Sequence, residues 1–333
     1  MLLSIILLLG SAGLIYLACE GFVNGIEWVG HRLNVSQTAT GTILAAFGTA
    51  LPESVVTLVA TAFGKSDAER ELGVGAALGG PLALSTIAYG IVGAALLVNR
   101  KRLARPGKRV CVEANCRRLS HDQLWFLAIF VVKIGLGLIV FRFKPWLGLI
   151  FLGAYGIYVW TELRVEAEAD EGEREPLKIR PRDAEPHLAW AGLQALIALV
   201  VIFLSSRLFV SQLGAIGPWL GLPPQLTALL VSPIATELPE TMNALIWVRQ
   251  GKDRMALANI SGAMMIQATV PTAFGLFFTP WLLGRELLIA AGVTMAAVLI
   301  LYSMFRTGTV GGKPLAAIAG LYGVFVAAIL LFR

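Results

Sequence analysis

The sequence predicts an all-α polytopic membrane protein of about ten transmembrane helices, arranged as two inverted-topology repeats of five helices each. Three observations predict it: apolar runs of bilayer-spanning length, a charged linker between the fifth and sixth runs, and a motif that recurs at a constant offset of 187 residues. The composition agrees. Of 333 residues, 57% are hydrophobic and only 14% charged, with a mean hydropathy of +0.75, whereas a soluble domain carries about 25% charged residues. A water-soluble enzyme is excluded.

The apolar runs fall at about 2–22, 35–63, 71–98, 122–141, 145–163, 187–207, 222–248, 254–282, 284–304 and 314–332, each near the ~20 residues that span a bilayer as helix. The first run has no Lys or Arg before it and continues through Tyr16 and Leu17 without a small-residue cleavage site, so it reads as a transmembrane helix rather than a signal peptide. Residues 1–163 make the first repeat, 164–187 a linker and 188–333 the second repeat. The acidic run from Glu166 to Glu175 reads as a solvated loop. Basic residues collect on one side: Arg32, the loop from Arg100 to Arg118, the central linker, Arg249, Lys252, Arg254, Arg306 and Lys313. The other side holds only Lys65, Arg70, Arg142, Lys144, Arg207, Arg285 and Arg333. The positive-inside rule then puts the N-terminus outside and the linker in the cytoplasm of a cell-membrane protein. Five spans per half require that homologous halves sit upside down relative to each other.

Cys19, Cys111 and Cys116 make no disulfide framework and lack zinc-ligand partners. The excess of 27 Lys+Arg over 21 Asp+Glu is explained by basic cytoplasmic loops, and no nucleic-acid module accompanies it. Trp125, Trp146, Trp219 and Trp281 lie at span ends, as interfacial anchors do.

The halves are homologous. Thr49 meets Thr236, Leu51 meets Leu238, Pro52 meets Pro239, Glu53 meets Glu240, and Gly64-Lys65 meets Gly251-Lys252. A four-residue difference in the following turn then sets the helix from Gly73 to Gly79 opposite that from Ala256 to Gly262.

Glu53 and Glu240 lie deep within apolar runs. A carboxylate there costs about 2.5 to 3.5 kcal/mol even on the permissive insertion scale, and the chain carries that cost at two equivalent positions. Either each Glu ties helices together or the two mark an ion path, and the duplication favours the ion path. Pro52 and Pro239 each remove an amide donor and obstruct the carbonyl four residues earlier, which predicts broken helices at the ion site. Carbonyls, threonine hydroxyls and carboxylates are hard oxygen ligands, suited to calcium or sodium.

These motifs resemble those of the sodium/calcium exchanger family of the calcium/cation antiporter superfamily, whose two alpha-repeats carry Gly-Thr-Ser-Leu-Pro-Glu. Here the first reads Gly48-Thr49-Ala50-Leu51-Pro52-Glu53, within an alpha-1 region at 41–90, and the second Ala235-Thr236-Glu237-Leu238-Pro239-Glu240, within an alpha-2 region at 228–275. The resemblance implies a secondary antiporter with Glu53 and Glu240 as central calcium ligands. It also implies contributions from Thr49 and Thr236 and from backbone carbonyls around Ala46 and Pro233, and a first and sixth span that slide across a fixed ion-binding core. The chain departs from the family at Ala50 and Glu237, where serines flank sodium sites, and in the following helices. Those read Gly79-Gly80-Pro81 then Leu84, and Gly262-Ala263-Met264 then Gln267, in place of Gly-Ser-Asn then Asn or Asp.

Glu237 lies three residues before Glu240, on the same helical face. Three carboxylates around one cavity repel, so a carboxyl that takes a proton as the metal leaves would serve proton coupling; the alternative is a Glu237 at a water-filled mouth. Gln267 and Asn243 are possible further ligands, as is Asn259. Lys133 is expected to pair with an acid such as Glu20 or Glu162. The function predicted is exchange of calcium, or a similar hard divalent cation, for sodium or protons across the bilayer by alternating access, without a cofactor, nucleic acid or obligate protein partner. The alternatives are a cation channel with the same glutamates and a non-transporting relic or sensor of the exchanger fold.

Overall fold

The computed structural model describes residues 2–32, 37–99, 116–164, 175–249, 251, 253–308 and 310–332, with side chains at all of these except 23, 37–49, 162–164, 235, 238, 239, 246, 254, 255 and 332. Its helices are α1 (Leu2–Arg32), α2 (Gln37–Phe63), α3 (Asp67–Ala83), α4 (Tyr89–Asn99), α5 (Cys116–Leu136), α6 (Gly148–Arg164), α7 (Leu188–Trp219), α8 (Pro224–Thr236), α9 (Leu238–Arg249), α10 (Asp253–Phe278), α11 (Arg285–Arg306), α12 (Gly312–Ile318) and α13 (Gly320–Phe332). A π turn at Leu84–Ala88 joins α3 to α4, and α8 abuts α9, as α12 abuts α13. Five rods therefore precede the linker and five follow it, each overlapping one of the expected spans. Among the described residues, 7 are long and apolar enough to cross a membrane; the rod of α8 and α9 is interrupted, and α6 has 17 residues.

Two rods run further than hydropathy indicated. α1 continues ten residues past 22, to Arg32, and α7 continues past 207 to Trp219. For α1 the reason is polar partnership. Asn24 and Gln194 meet where α1 and α7 run antiparallel, with Gln194 Nε2 donating to Asn24 Oδ1 at 2.9 Å and to the Gly21 carbonyl at 2.7 Å. The linker residues from Glu175 are strapped across both helices. Trp28 Nε1 donates to the Glu175 carbonyl at 3.1 Å, the Ile179 N–H donates to Gln194 Oε1 at 2.9 Å, and Arg32 reaches both the Pro186 carbonyl and Glu185. This half of the linker is thus tied to both helices; the acidic run expected to be a solvated loop lies, apart from Glu175, outside the described residues.

Glycines let the site-bearing helices approach. α2 and α3 form an antiparallel hairpin opened by Ser66, whose hydroxyl accepts the Glu69 N–H at 3.2 Å while the Glu69 carboxylate accepts the Lys65 N–H at 2.7 Å, a reciprocal cap. α3 then lies on α8 from the other repeat. A methyl group at Gly75 would overlap the Gln225 backbone, and one at Gly79 would overlap Pro233 and the Leu229 carbonyl. This is small-xxx-small packing, in which missing side chains let backbones close up. The reciprocal pairing, α10 on α2, completes the inverted arrangement.

At one end of the fold Lys144 is buried and its ammonium donates to the carbonyls of Ile139, Pro280 and Trp281 at 2.7, 2.8 and 3.0 Å. It staples the α5–α6 connection to the α10–α11 connection. Removing it leaves three acceptors to find water, so Lys144→Met is predicted to lower stability by about 2–4 kcal/mol. A thermal melt of the detergent-solubilised chain unchanged from wild type would refute this.

Candidate functional site

α2 carries Glu53 into the centre of the fold, where its exposure is 1%; Glu240 on α9 is at 0% and Glu237 at 3%. The second motif is broken at this point. Glu237 sits between α8 and α9 with φ −94° and ψ −3°, its N–H bonded to the Pro233 carbonyl at 3.0 Å. The first motif is not broken in the same way. α2 is helical from Gln37 through Pro52 to Phe63, so the expected pair of breaks is one break, in the second repeat, together with the π turn beyond α3.

The two motif glutamates share an unusual property. Among the described residues no donor is matched to either oxygen of Glu53 or of Glu240; the group facing Glu53 within hydrogen-bonding reach is another acid, the Glu237 carboxyl. Four buried acceptors at repeat-equivalent positions thus lack an N–H or hydroxyl donor among the described residues, and such groups are normally satisfied. Glu237 is satisfied instead: it accepts from Gln267 Nε2 at 2.6 Å and from Thr236 Oγ1 at 2.9 Å. It is no residue of a water-filled mouth but part of the cluster, placed where its charge acts on both Glu53 and Glu240. Among the described residues no three carboxylate, imidazole or thiol groups converge on one metal-sized position, and the three glutamates are linked by their charges, Glu237 acting on both of the others and Glu240 on Glu53.

Of the other expected ligands, Thr236 is buried, its hydroxyl within reach of the Ser232 carbonyl at 3.2 Å as well as Glu237. Gln267 reaches Glu237 through its N–H and leaves Oε1 unpartnered. The Pro233 ring packs on Gly79. Asn243 is half-buried, and no hydrogen bond among the described residues joins it to a glutamate. Asn259 is likewise half-buried, with an unpartnered Nδ2. Thr49 and Ala46 lie on α2, but their side chains fall outside the described residues.

Two site residues escaped the sequence reading. Gly80 packs directly on Glu53, since a methyl group there would overlap the carboxylate; the run Gly79-Gly80-Pro81 was its signal. Of the two acids expected to pair with Lys133, Glu20 is engaged elsewhere, by Lys178 at 2.9 Å, and the side chain of Glu162 is outside the described residues. Lys133 stands in the last turn of α5 rather than mid-span, and helical side chains lean back toward the N-terminus. Its ammonium therefore reaches inward, donating to the Ala77 carbonyl at 3.0 Å and the Gln267 carbonyl at 3.5 Å, with Glu53 near enough to feel its charge. Trp281 is not an interfacial anchor. It is wholly buried and its indole N–H donates to the Lys133 carbonyl at 3.0 Å, over a ring slot that Gly275 leaves open.

An inverted-repeat helical fold of bilayer-length rods with a duplicated pair of buried carboxylates at its centre defines a class of multi-pass membrane protein. The chain belongs to the sodium/calcium exchanger protein family, which matches residues 3–164 and 190–331, one segment per repeat. It is 24% identical over 307 residues to the putative antiporter CaxA of Alkalimonas amylolytica, covering 90% of each chain. It is also 24% identical over 285 residues to inner membrane protein YrbG of Escherichia coli (strain K12), covering 84% of this chain and 81% of that one. The fold is similar to a crystal structure of the H+/Ca2+ exchanger CAX, with TM-score 0.77 and 19% identity over 98% of this chain and 82% of that one. It is likewise similar to the sodium-calcium exchanger NCX_Mj, with TM-score 0.61 and 20% identity over 98% of both chains.

Proposed function

We propose that the chain is a secondary antiporter that exchanges calcium, or a similar hard divalent cation, for sodium or protons by alternating access. The observation that carries this reading is the pair of buried, repeat-equivalent carboxylates of Glu53 and Glu240, to which no N–H or hydroxyl donor is matched among the described residues. Buried carboxylates without donors require either a cation or protons, and a site that holds one or the other, but not both, couples their movements by competition. Family membership and the antiporter and exchanger names of its relatives support the same reading. Glu53 and Glu240 are the central ligands, with Thr236, Gln267 and the region of Thr49, Ala46 and Pro233 completing the shell. The N-terminus faces outside and the linker the cytoplasm, as the basic-residue asymmetry supports.

The test is radioactive calcium uptake into proteoliposomes under an imposed sodium gradient in one set and a pH gradient in another. Uptake driven by at least one gradient is expected. No gradient-driven uptake above empty liposomes would overturn the proposal. If the pH gradient drives it, Glu237 is the group that takes a proton as the divalent ion leaves, and Glu237→Gln is predicted to flatten the pH dependence of uptake. A pH profile identical to wild type would remove Glu237 from that role.

A further inference from the structure

Lys133 is a buried charge that the carboxylate chemistry does not use. Its exposure is 0%, and it donates to two main-chain carbonyls from different repeats. Both carbonyls are special. An α-helical carbonyl is ordinarily capped by the N–H four residues on, but the residue four beyond Ala77 is Pro81, and the residue four beyond Gln267 is Pro271. Neither proline has an N–H to give. The two prolines thus free one oxygen from α3 and one from α10, and both oxygens turn to the same ammonium. Phe130 closes one side, its ring centre 5.1 Å from Nζ. Freed helical carbonyls beside carboxylates are the ligand set by which membrane proteins hold monovalent cations.

We propose that the Lys133 ammonium is a tethered monovalent cation of the ion cavity, seated in a carbonyl cradle that would otherwise take sodium. The charge balance fits. With Glu53, Glu237 and Glu240 ionised the cavity carries three negative charges; the ammonium leaves two, the charge one divalent cation cancels. A cavity so equipped takes its divalent ion without a monovalent companion. Lys133 is in this sense a selectivity-determining residue, and the same position without an ammonium becomes a sodium site. The transport consequence rests on the exchanger reading; the sodium cradle does not.

The experiment is equilibrium binding of radioactive sodium to the purified full chain in calcium-free buffer, comparing wild type with Lys133→Met and Lys133→Gln. Both variants are expected to bind a sodium ion in excess of any bound by wild type. Calcium binding by the same samples forms the second arm: sodium is expected to strengthen it by about tenfold in the variants and not in wild type. A lysine needed only for packing would move neither readout in this direction. If whichever variants elute as monodisperse protein take up no more sodium than wild type, the inference is overturned. Gln is included because it keeps a polar end if Met does not fold. Absence of calcium binding in wild type would instead overturn the exchanger reading, and the sodium arm would still decide the role of Lys133.

Discussion

Glu53→Gln and Glu240→Gln are each expected to cut calcium uptake by about 100-fold or more, which is the loss of roughly 3 kcal/mol from a buried charged ligand. The amide keeps the volume of the side chain, so the packing of Gly80 against residue 53 survives. What disappears is the negative charge that a divalent ion needs. Because both carboxylates act on one ion, their losses should not add, and the double variant is expected to be no worse than either single one. Stability should move the other way. Both glutamates are buried in a cluster of three acids that act on one another, so replacing one of these acids by a neutral amide is expected to leave the melting temperature unchanged or raise it. Loss of uptake without loss of stability separates a ligand from a packing residue. A variant that transports at the wild-type rate would show that its glutamate is not a ligand, and asymmetry between the two would break the equivalence that the repeat implies.

The limits of hydropathy show at particular residues. It located the rods because bilayer-length apolar runs have few alternative explanations, and the offset of Thr, Leu, Pro and Glu made the two halves visible without coordinates. It stopped α1 near residue 22 because Asn24, Glu27 and Arg32 lower the local average. Those positions are helical because their polar groups are met from elsewhere: Asn24 by Gln194 and Lys178, and Arg32 by Pro186 and Glu185. No local window contains partners about 150 residues away. Lys133 failed for a different reason. A buried cation suggests a buried anion, so an acid was sought, but its partners are carbonyls that have no residue type. Pro81 and Pro271 do mark those carbonyls, and a search for prolines four residues past an inward-facing position would have pointed to them. The single break at Glu237, against a continuous α2, shows that a proline permits a break and does not compel one. Neighbouring helices and the residues around the proline decide whether the chain opens or only loses a bond.

Gly80→Ala, a change of one methyl group, is expected to impair transport by about 10- to 100-fold, a cost of about 1.4 to 2.7 kcal/mol. The methyl would overlap the Glu53 carboxylate, so one of the two must move. α3 has nowhere to retreat: Gly75 and Gly79 already bring its backbone against Gln225, Leu229 and Pro233 of α8, and Gly73 meets Thr61 on α2. Closely packed interiors resist such shifts more than side chains resist rotation, so Glu53 rotates off its position while the fold persists. The comparison that isolates this effect is Gly292→Ala on α11, where nothing lies within 4 Å of the added methyl and wild-type uptake is expected. Calcium affinity should fall in Gly80→Ala in parallel with uptake, since the displaced group is the ligand itself. If Gly80→Ala binds and transports calcium as wild type does, then Glu53 performs its function from somewhere other than the pocket floored by Gly80, and the cluster of Glu53, Glu237 and Glu240 is not the arrangement that meets the ion.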